Sequence, residues 1–393
     1  MDLTLVALFV TAGLASLFMA WVIGAGSSGA TPFAPAVGAN AIGTMRAAFV
    51  VGLLGFAGAV TQGANVSEAV GTGLVDGVSL PASGVILVLA IGAGLMVVGI
   101  YTGYPIATAF TVTGAVVGVG LALGGTPAWE KYRQVGAVWV LTPFVGGGVA
   151  YGIASLLPRE DVPERLSVPV LAGTVGVVLA NVDFAFLGPD GTAGSLTGSV
   201  QRTLGTGGPA VPVLVSVGVA AALATVVHVE IRRDEATGLH RALLALGSLV
   251  AFSAGGSQVG LAVGPLVPLL EEVTLVSTFG VLVGGGVGIL VGSWTGAPRM
   301  IKSLARDYSS LGPRRSIAAL VPSFLIAQVA VLLGVPVSFN EVVVSAIIGS
   351  GAAVGGRDAV DARKILVTAG AWTLSFGVAF GLAFGVAATC PLG

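Results

Sequence analysis

Long stretches without a charged side chain constrain this chain more than any other feature. Residues 3–23, 85–100, 211–227 and 275–291 are almost wholly apolar, and the charges gather in short polar stretches between such runs. A run near 20 apolar residues matches the hydrocarbon thickness of a bilayer. Backbone groups facing lipid must be paired within their own segment, so these runs are expected to be α-helices. Only 9% of the 393 residues are charged, 55% are hydrophobic and the mean hydropathy is +1.00. A soluble domain carries about a quarter of its residues as charges. The expected fold class is therefore all-α: a polytopic, multi-pass protein of the plasma membrane with about 10–12 helical segments. Asp2 precedes the first run and no basic segment does, so this run is expected to stay as the first helix rather than act as a signal peptide.

The polar connections suggest an orientation. Two are basic, residues 230–241 with Arg232, Arg233 and Arg241, and residues 299–315 with Arg299, Lys302, Arg306, Arg314 and Arg315. Positive connections stay on the cytoplasmic side. Residues 65–81 carry Glu68 and Asp76 and no basic residue, which places them outside. Glu271 and Glu272 are expected at the membrane surface, His228 and His240 at the interface, and the five Trp mostly as interfacial anchors.

Within this helical frame the chain repeats itself. Residues 103–125 align without gaps to residues 334–356, from Gly103 and Pro105 on Gly334 and Pro336 through to the paired glycines at the end. Further on, Trp139, Leu141 and Thr142 match Trp372, Leu374 and Ser375, and upstream Gly26, Ser27 and Pro35 match Gly256, Ser257 and Pro265. Three blocks in the same order indicate duplication. The expected organisation is a first repeat over residues 1–157, connecting helices and loops over 158–238, and a second repeat over 239–393. The repeats are expected to be inverted, with broken or re-entrant helices.

Both halves carry two kinds of interruption. One is a Gly/Ser-rich segment inside an apolar run, residues 24–32 with Gly26, Ser27, Ser28 and Thr31, and residues 253–260 with Gly256, Ser257 and Gln258. The other is a Gly-x-Pro turn leading into a helix, at Gly103–Pro105 and Gly334–Pro336, the usual grammar of a new helix start. Single breaks of this kind often serve close helix packing. Paired breaks at matching places point instead to a transport site, where free amides and hydroxyls at helix N-termini hold an anion.

One acid, Glu341, lies deep in an apolar stretch beside Asn340. An unpaired carboxylate there costs several kcal/mol, about 2.5–3.5 kcal/mol on insertion scales. Glu341 is read as a proton carrier or cation ligand, against the alternative of a neutral acid bonded to a neighbouring hydroxyl; Asn340 acts beside it or bonds to backbone. Glu68 is read either as a second coupling-ion ligand or as a solvated or helix-capping acid.

Composition excludes other classes. A net charge of −1 gives no electrostatic footprint for nucleic acid, and the single Cys390 allows neither an internal disulfide nor a paired-cysteine metal site. No Walker-type loop or HExxH motif is present, so the chain is not expected to be an enzyme, and no cofactor or metal is expected beyond a coupling Na+ or H+.

At these motifs the chain resembles the inorganic phosphate transporter (PiT) family, which includes a sulfate permease branch, over nearly its whole length. The segment Gly63 to Glu68 resembles the family's stretch after its second helix, residues 262–266 resemble its Ala-Ile-Gly-Pro-Leu, and Pro336, Val337 and Ser338 resemble the start of its second signature. The resemblance implies inverted repeats, a central oxyanion site, cation-coupled uptake and a homodimer in the lipid bilayer. The chemical positions diverge. The family's Asn-Asp pairs correspond to Ser27 and Ser28 in one half and Ser257 and Gln258 in the other, and the later signature Asn falls on Thr31 and Leu261. Ser-Thr-Thr-His becomes Ala107, Thr108, Ala109 and Phe110 in one half and Ser338, Phe339, Asn340 and Glu341 in the other. Loss of both signature aspartates weakens sodium coordination more than anion binding.

The expected function is secondary active transport of inorganic phosphate or a related oxyanion. Ser27, Ser28, Thr108, Ser257, Gln258, Ser338 and Asn340 are expected to bind substrate. Glu341, Glu68 and Thr31 are the candidates for the coupling ion. The alternatives are a sulfate permease, a passive anion channel, and a transport-dead anion-binding receptor.

Overall fold

The charge-free runs fold as helices, interrupted where Gly and Pro interrupt the sequence. A computed structural model describes residues 3–159, 163–189, 192–205, 207–270, 277–308, 311–355, 361–390 and 392. Glu271, Glu272 and Asp2 lie outside the described residues. The first half runs α1 (Leu3–Gly26), α2 (Ala34–Gly38), α3 (Thr44–Gln62), α4 (Ala64–Thr72), α5 (Ala82–Thr102), α6 (Thr108–Ala122) and α7 (Trp129–Leu156). Then come α8 (Glu164–Asn181), α9 (Leu196–Thr203) and α10 (Ala210–Arg233). The second half runs α11 (Glu235–Val263), α12 (Val267–Leu270), α13 (Thr278–Thr295), α14 (Ala297–Arg306), α15 (Pro313–Leu332), α16 (Phe339–Gly355) and α17 (Ala362–Thr389). Among the described residues, nine helices are long and apolar enough to cross a membrane, while α6 and α16 are shorter apolar helices. The protein is a multi-pass α-helical membrane protein.

Two short antiparallel ribbons tie loops together. Val75–Asp76 (β1) pairs with Thr126–Pro127 (β2), and Asp183–Phe184 (β3) pairs with Gly194–Ser195 (β4). The ribbon β1–β2 joins the loop before α5 to the loop before α7, so the α5–α6 hairpin is closed at its far end.

The two halves present helices of like kind in the same order, and they pack by exchange. Helix α1 lies along α13 and α11 along α3; α6 lies along α17 and α16 along α7. Glycine makes these contacts close: a Cβ on Gly292 of α13 would sit 2.0 Å from the Trp21 carbonyl of α1, and one on Gly255 of α11 would sit 1.9 Å from the Gly55 carbonyl of α3. Such backbone approach is how helices associate where lipid removes the hydrophobic incentive. Outside this exchanged body, α8 packs mainly on α10, whose one buried residue is Ile231 near its end.

Both Gly-x-Pro turns form as the sequence predicts. Gly103 and Gly334 lie just past the preceding helices with φ of +76° and +56°, a left-handed conformation that glycine adopts without Cβ strain. Non-helical residues 104–107 and 335–338 then carry the chain to α6 and α16, which begin at Thr108 and Phe339.

The Gly/Ser segments differ from expectation. The first is a true break, because α1 ends at Gly26 and residues 27–33 form turns. The second is not: α11 stays helical through Ser253 and Gly260 and breaks only at Gly264–Leu266, a 3₁₀ turn carrying Pro265. The physical reason lies in α3. Gly255 and Gly256 face Gly55, Gly58 and Gln62 at distances that admit no side chain, so these glycines serve close helix packing and leave the i→i−4 ladder of α11 intact.

Candidate functional site

Three interruptions and the unbroken α11 meet in one buried cluster. Asn340, in the first turn of α16, donates through Nδ2 to the Gly26 carbonyl at 3.1 Å and to the Ile106 carbonyl at 2.7 Å. It thereby joins the end of α1 to the turn before α6. Gln258 of α11 donates through Nε2 to the Val337 carbonyl at 2.6 Å, and its Oε1 accepts from Ser27 Oγ at 3.2 Å. Thr31 Oγ1 donates back to the Ser27 carbonyl at 3.1 Å, and Ser338 Oγ accepts from the Glu341 amide at 3.4 Å. Ser27, Ser28, Thr31, Thr108, Ser257, Gln258, Ser338 and Asn340 are all fully buried.

This bonding changes what each side chain has to offer. The Ser27 hydroxyl hydrogen, both Asn340 amide hydrogens and one of the two on Gln258, expected to hold an oxyanion, are occupied by protein acceptors. The hydroxyls of Ser28, Thr108 and Ser257 are buried with no hydrogen-bond partner among the described residues, and so are Asn340 Oδ1 and Glu341 Oε2. Buried polar groups without partners are uncommon because each costs about 1–3 kcal/mol, and five within one set of neighbouring segments mark a place built for a further group. The first-turn amides of α6 and α16, which have no intrahelical acceptor, add donors at the same level. The break at Gly26 differs in kind: it is a helix C-terminus and brings a carbonyl, already bonded to Asn340.

Glu341 is 2% exposed, and no charged group acts on it among the described residues. Glu68 is elsewhere. It lies on the exposed face of α4, lining a rim pocket with Asn65, Lys131 and Gly334. The structure therefore brings together nine of the ten candidate residues and leaves Glu68 apart. Thr31, with its hydroxyl hydrogen spent on Ser27, has only lone pairs to offer. Among the described residues no group of three or more His, Cys, Asp or Glu is placed to hold a metal ion.

Both Gly-x-Pro turns are held from across the molecule. Trp372 Nε1 of α17 donates to the Pro105 carbonyl at 2.7 Å, and Trp139 Nε1 of α7 donates to the Pro336 carbonyl at 2.8 Å. Each half thus fixes the turn of the other, and these two indoles are not interfacial anchors as expected. The lysines eight residues earlier repeat the exchange. Lys131 Nζ donates to the Gly334 carbonyl at 3.0 Å, whereas Lys364 Nζ reaches Ser303 Oγ at 3.3 Å, which itself donates to the Gly103 carbonyl at 3.2 Å. The equal Lys-to-Trp spacing in the two halves was the available sequence signal for this pair.

A second buried polar cluster has no counterpart among the sequence expectations. Gln328 of α15 donates to Gln62 Oε1 at 3.3 Å and to Ser253 Oγ, and Gln62 donates to the Asp183 carbonyl at 3.0 Å. It borders a cavity of about 540 Å³ lined by Asn65, Asn181, Asp183 and Phe279. Isolated glutamines inside apolar runs were its signal.

Comparison with known proteins agrees with this architecture. Residues 23–383 match the model of the phosphate transporter family. A protein designated phosphate permease in Thermococcus kodakarensis is 28% identical over 372 residues, covering 86% of each chain. The chloroplastic inorganic phosphate transporter 2-1 of Arabidopsis thaliana is 25% identical over 411 residues, 93% of this chain and 69% of that one. A solved structure described as the sodium-dependent phosphate transporter superposes with a TM-score of 0.79 over 98% of both chains at 21% identity, a likeness of fold.

Proposed function

The chain belongs to the phosphate transporter family, and on that footing we propose that it is a secondary carrier of inorganic phosphate with its substrate held between the two halves. The observation that carries the proposal is the convergence of both Gly-x-Pro turns on one buried cluster in which the Ser28, Thr108 and Ser257 hydroxyls have no partner among the described residues. Hydroxyl donors without acceptors, beside two helix N-termini, suit an anion. Relatives named as phosphate permeases and transporters support phosphate as that anion.

The carrier is proposed to be cation-coupled, with Glu341 as the coupling group. A buried carboxyl with no cationic neighbour is costly as an anion, so its charge is naturally tied to a proton or to an arriving cation. Proton coupling fits this chain better than sodium coupling, because hydroxyls and amides replace the family's two aspartates and sodium favours charged oxygen ligands. Function as a homodimer in the bilayer is part of the same proposal, and cross-linking in native membranes reads it.

The test is uptake of labelled phosphate into proteoliposomes under separately imposed sodium and proton gradients, with sulfate run in parallel. Concentrative, saturable phosphate uptake is expected under the proton gradient. Linear flux that never exceeds the electrochemical gradient identifies a channel, binding without flux identifies a receptor, and neither flux nor binding by folded protein removes the proposal.

A further inference from the structure

We infer that Asn340 reads the proton on the substrate: its side-chain oxygen is fixed as an acceptor for a P–OH group, so the site takes protonated tetrahedral oxyanions and rejects those that carry no proton. This rests on the cluster being the oxyanion site, and it deepens that proposal by naming the substrate class.

The orientation of the amide follows from its partners. Nδ2 lies 3.1 Å from the Gly26 carbonyl and 2.7 Å from the Ile106 carbonyl. Turning the amide over would set Oδ1 against two carbonyl oxygens, which accept and never donate. The hydrogen-bond network therefore leaves one assignment, with both amide hydrogens consumed and Oδ1 left over. Oδ1 is buried in a fully buried residue and has no hydrogen-bond donor among the described residues. Its place is central: Ile106 precedes Thr108 by two residues and Gly26 precedes Ser28 by two, so Asn340 stands between the segments bearing two of the three free hydroxyls. Gln258 is fixed in the same manner, with Oε1 accepting from Ser27 and one Nε2 hydrogen donated to Val337, so what it retains for a ligand is a donor and not an acceptor.

An oxyanion that completes this cluster therefore accepts from hydroxyls and amides and also donates once, to Asn340 Oδ1. Hydrogenphosphate does both, since it has several acceptor oxygens and at least one P–OH near neutral pH. Arsenate does the same. Sulfate has the same shape with no proton, and so has monofluorophosphate near neutral pH. Either of the latter turns an acceptor toward Asn340 Oδ1, leaving a buried oxygen unpaired on each side. Sites built around a substrate hydrogen bond reject ligands that lack it by large factors, up to about 10⁴-fold, where shape alone gives little.

The experiment is equilibrium binding of radiolabelled phosphate to the full-length protein in detergent near neutral pH, competed with arsenate, sulfate and monofluorophosphate. Binding needs neither transport nor coupling. Arsenate is expected to compete within a few-fold of phosphate, while sulfate and monofluorophosphate bind at least about 30-fold more weakly. Competition by either aprotic anion within about threefold of phosphate overturns the inference while leaving the oxyanion site standing. Asn340→Leu, which keeps the branched shape and removes the acceptor together with the two amide donors, is expected to bring the phosphate-to-sulfate ratio down to about threefold or less. An unchanged ratio in folded Asn340→Leu also overturns it. The wild-type comparison stands by itself if that variant does not fold. Absence of binding by all four anions overturns both this inference and the oxyanion site beneath it.

Discussion

The turn leading into α6 and the turn leading into α16 share a backbone and differ in chemistry. Each has a left-handed glycine, a proline two residues later, a helix starting three residues beyond, and a proline carbonyl capped by a tryptophan from the opposite half. After the first turn the side chains are Ala107, Thr108, Ala109 and Phe110; after the second they are Ser338, Phe339, Asn340 and Glu341. Where the second half buries its acid, the first has Phe110 stacked on Trp139 with ring centroids 3.9 Å apart. Duplicated backbone tolerates this divergence because the turn needs only Gly, Pro and a capped carbonyl. Those are local or distant backbone requirements that leave the helix-facing side chains free to change. The lesson is that α6 supplies mainly geometry and one hydroxyl, while α16 supplies the ionisable and amide groups.

Four measurements break or sharpen this division. The largest effect is expected from Glu341→Gln, which should abolish gradient-driven accumulation while phosphate exchange continues; accumulation equal to wild type would place coupling elsewhere and end the asymmetry. Next are the indole caps. Trp372→Phe leaves the Pro105 carbonyl without its donor in a site where Trp372 is 7% exposed, and is expected to cost about 1–3 kcal/mol. Trp139→Phe should cost less, because Trp139 is only partly buried and a phenyl ring retains stacking on Phe110. Thermal unfolding in detergent ranks the two, and the reverse order would show that the turn before α16 is the more tightly held.

Glycine substitutions probe the turns themselves. Gly334→Ala and Gly103→Ala each force a side chain into the left-handed region at about 1–2 kcal/mol. Gly334→Ala is expected to be the worse, since its Cβ would meet the Asn65 carbonyl at 3.2 Å while that of Gly103 meets only Ser303 Oγ at 3.8 Å. Unfolding midpoints read this difference as well.

The smallest effect is at the lysines. Lys364 pairs with Asp307 and lies over the rings of Tyr308 and Tyr104, at 4.9 and 5.6 Å from their centroids, whereas Lys131 has a carbonyl. Burial pushes the Asp307 carboxyl up, but hydrogen bonds from Lys364 and Ser303 and the charges of Lys364 and Arg306 outweigh it and hold the group below its ordinary value. A depressed folded value means that this stabilisation is present above the ordinary carboxylate range and is lost as pH falls through the lowered value. With Asp307 44% exposed, the contribution is about 0.5 kcal/mol or less. Asp307→Asn should flatten the acid limb of stability by that small amount in low salt and leave the Lys131 side untouched.

Much of the architecture was legible in the sequence because its causes are local or periodic. Apolar length marked the helices, Gly103, Pro105, Gly334 and Pro336 marked the two turns, and their repetition placed Ser27, Ser28, Thr108, Ser257, Gln258, Ser338 and Asn340 near one another. The second Gly/Ser segment reads as a break and is not one. Its glycines answer to α3, a helix roughly 200 residues earlier in the chain, and no window around Ser253–Gly260 contains that information. The Gln62–Gln328–Ser253 cluster is only half legible for the same reason, since isolated polar residues in apolar runs mark each member but nothing local pairs them.

What the sequence by itself determined is the membrane-spanning class and the points where α6 and α16 begin. Each follows from how lipid treats an unpaired backbone group, and that can be judged residue by residue. What only the tertiary structure decided is which polar atoms remain to be used. Asn340 and Gln258 read as donors in the sequence, yet both Asn340 hydrogens are consumed by Gly26 and Ile106 and one from Gln258 by Val337, leaving Asn340 an acceptor. A hydrogen bond is settled by whichever partner the fold brings within about 3 Å, and here every such partner comes from another segment of the chain.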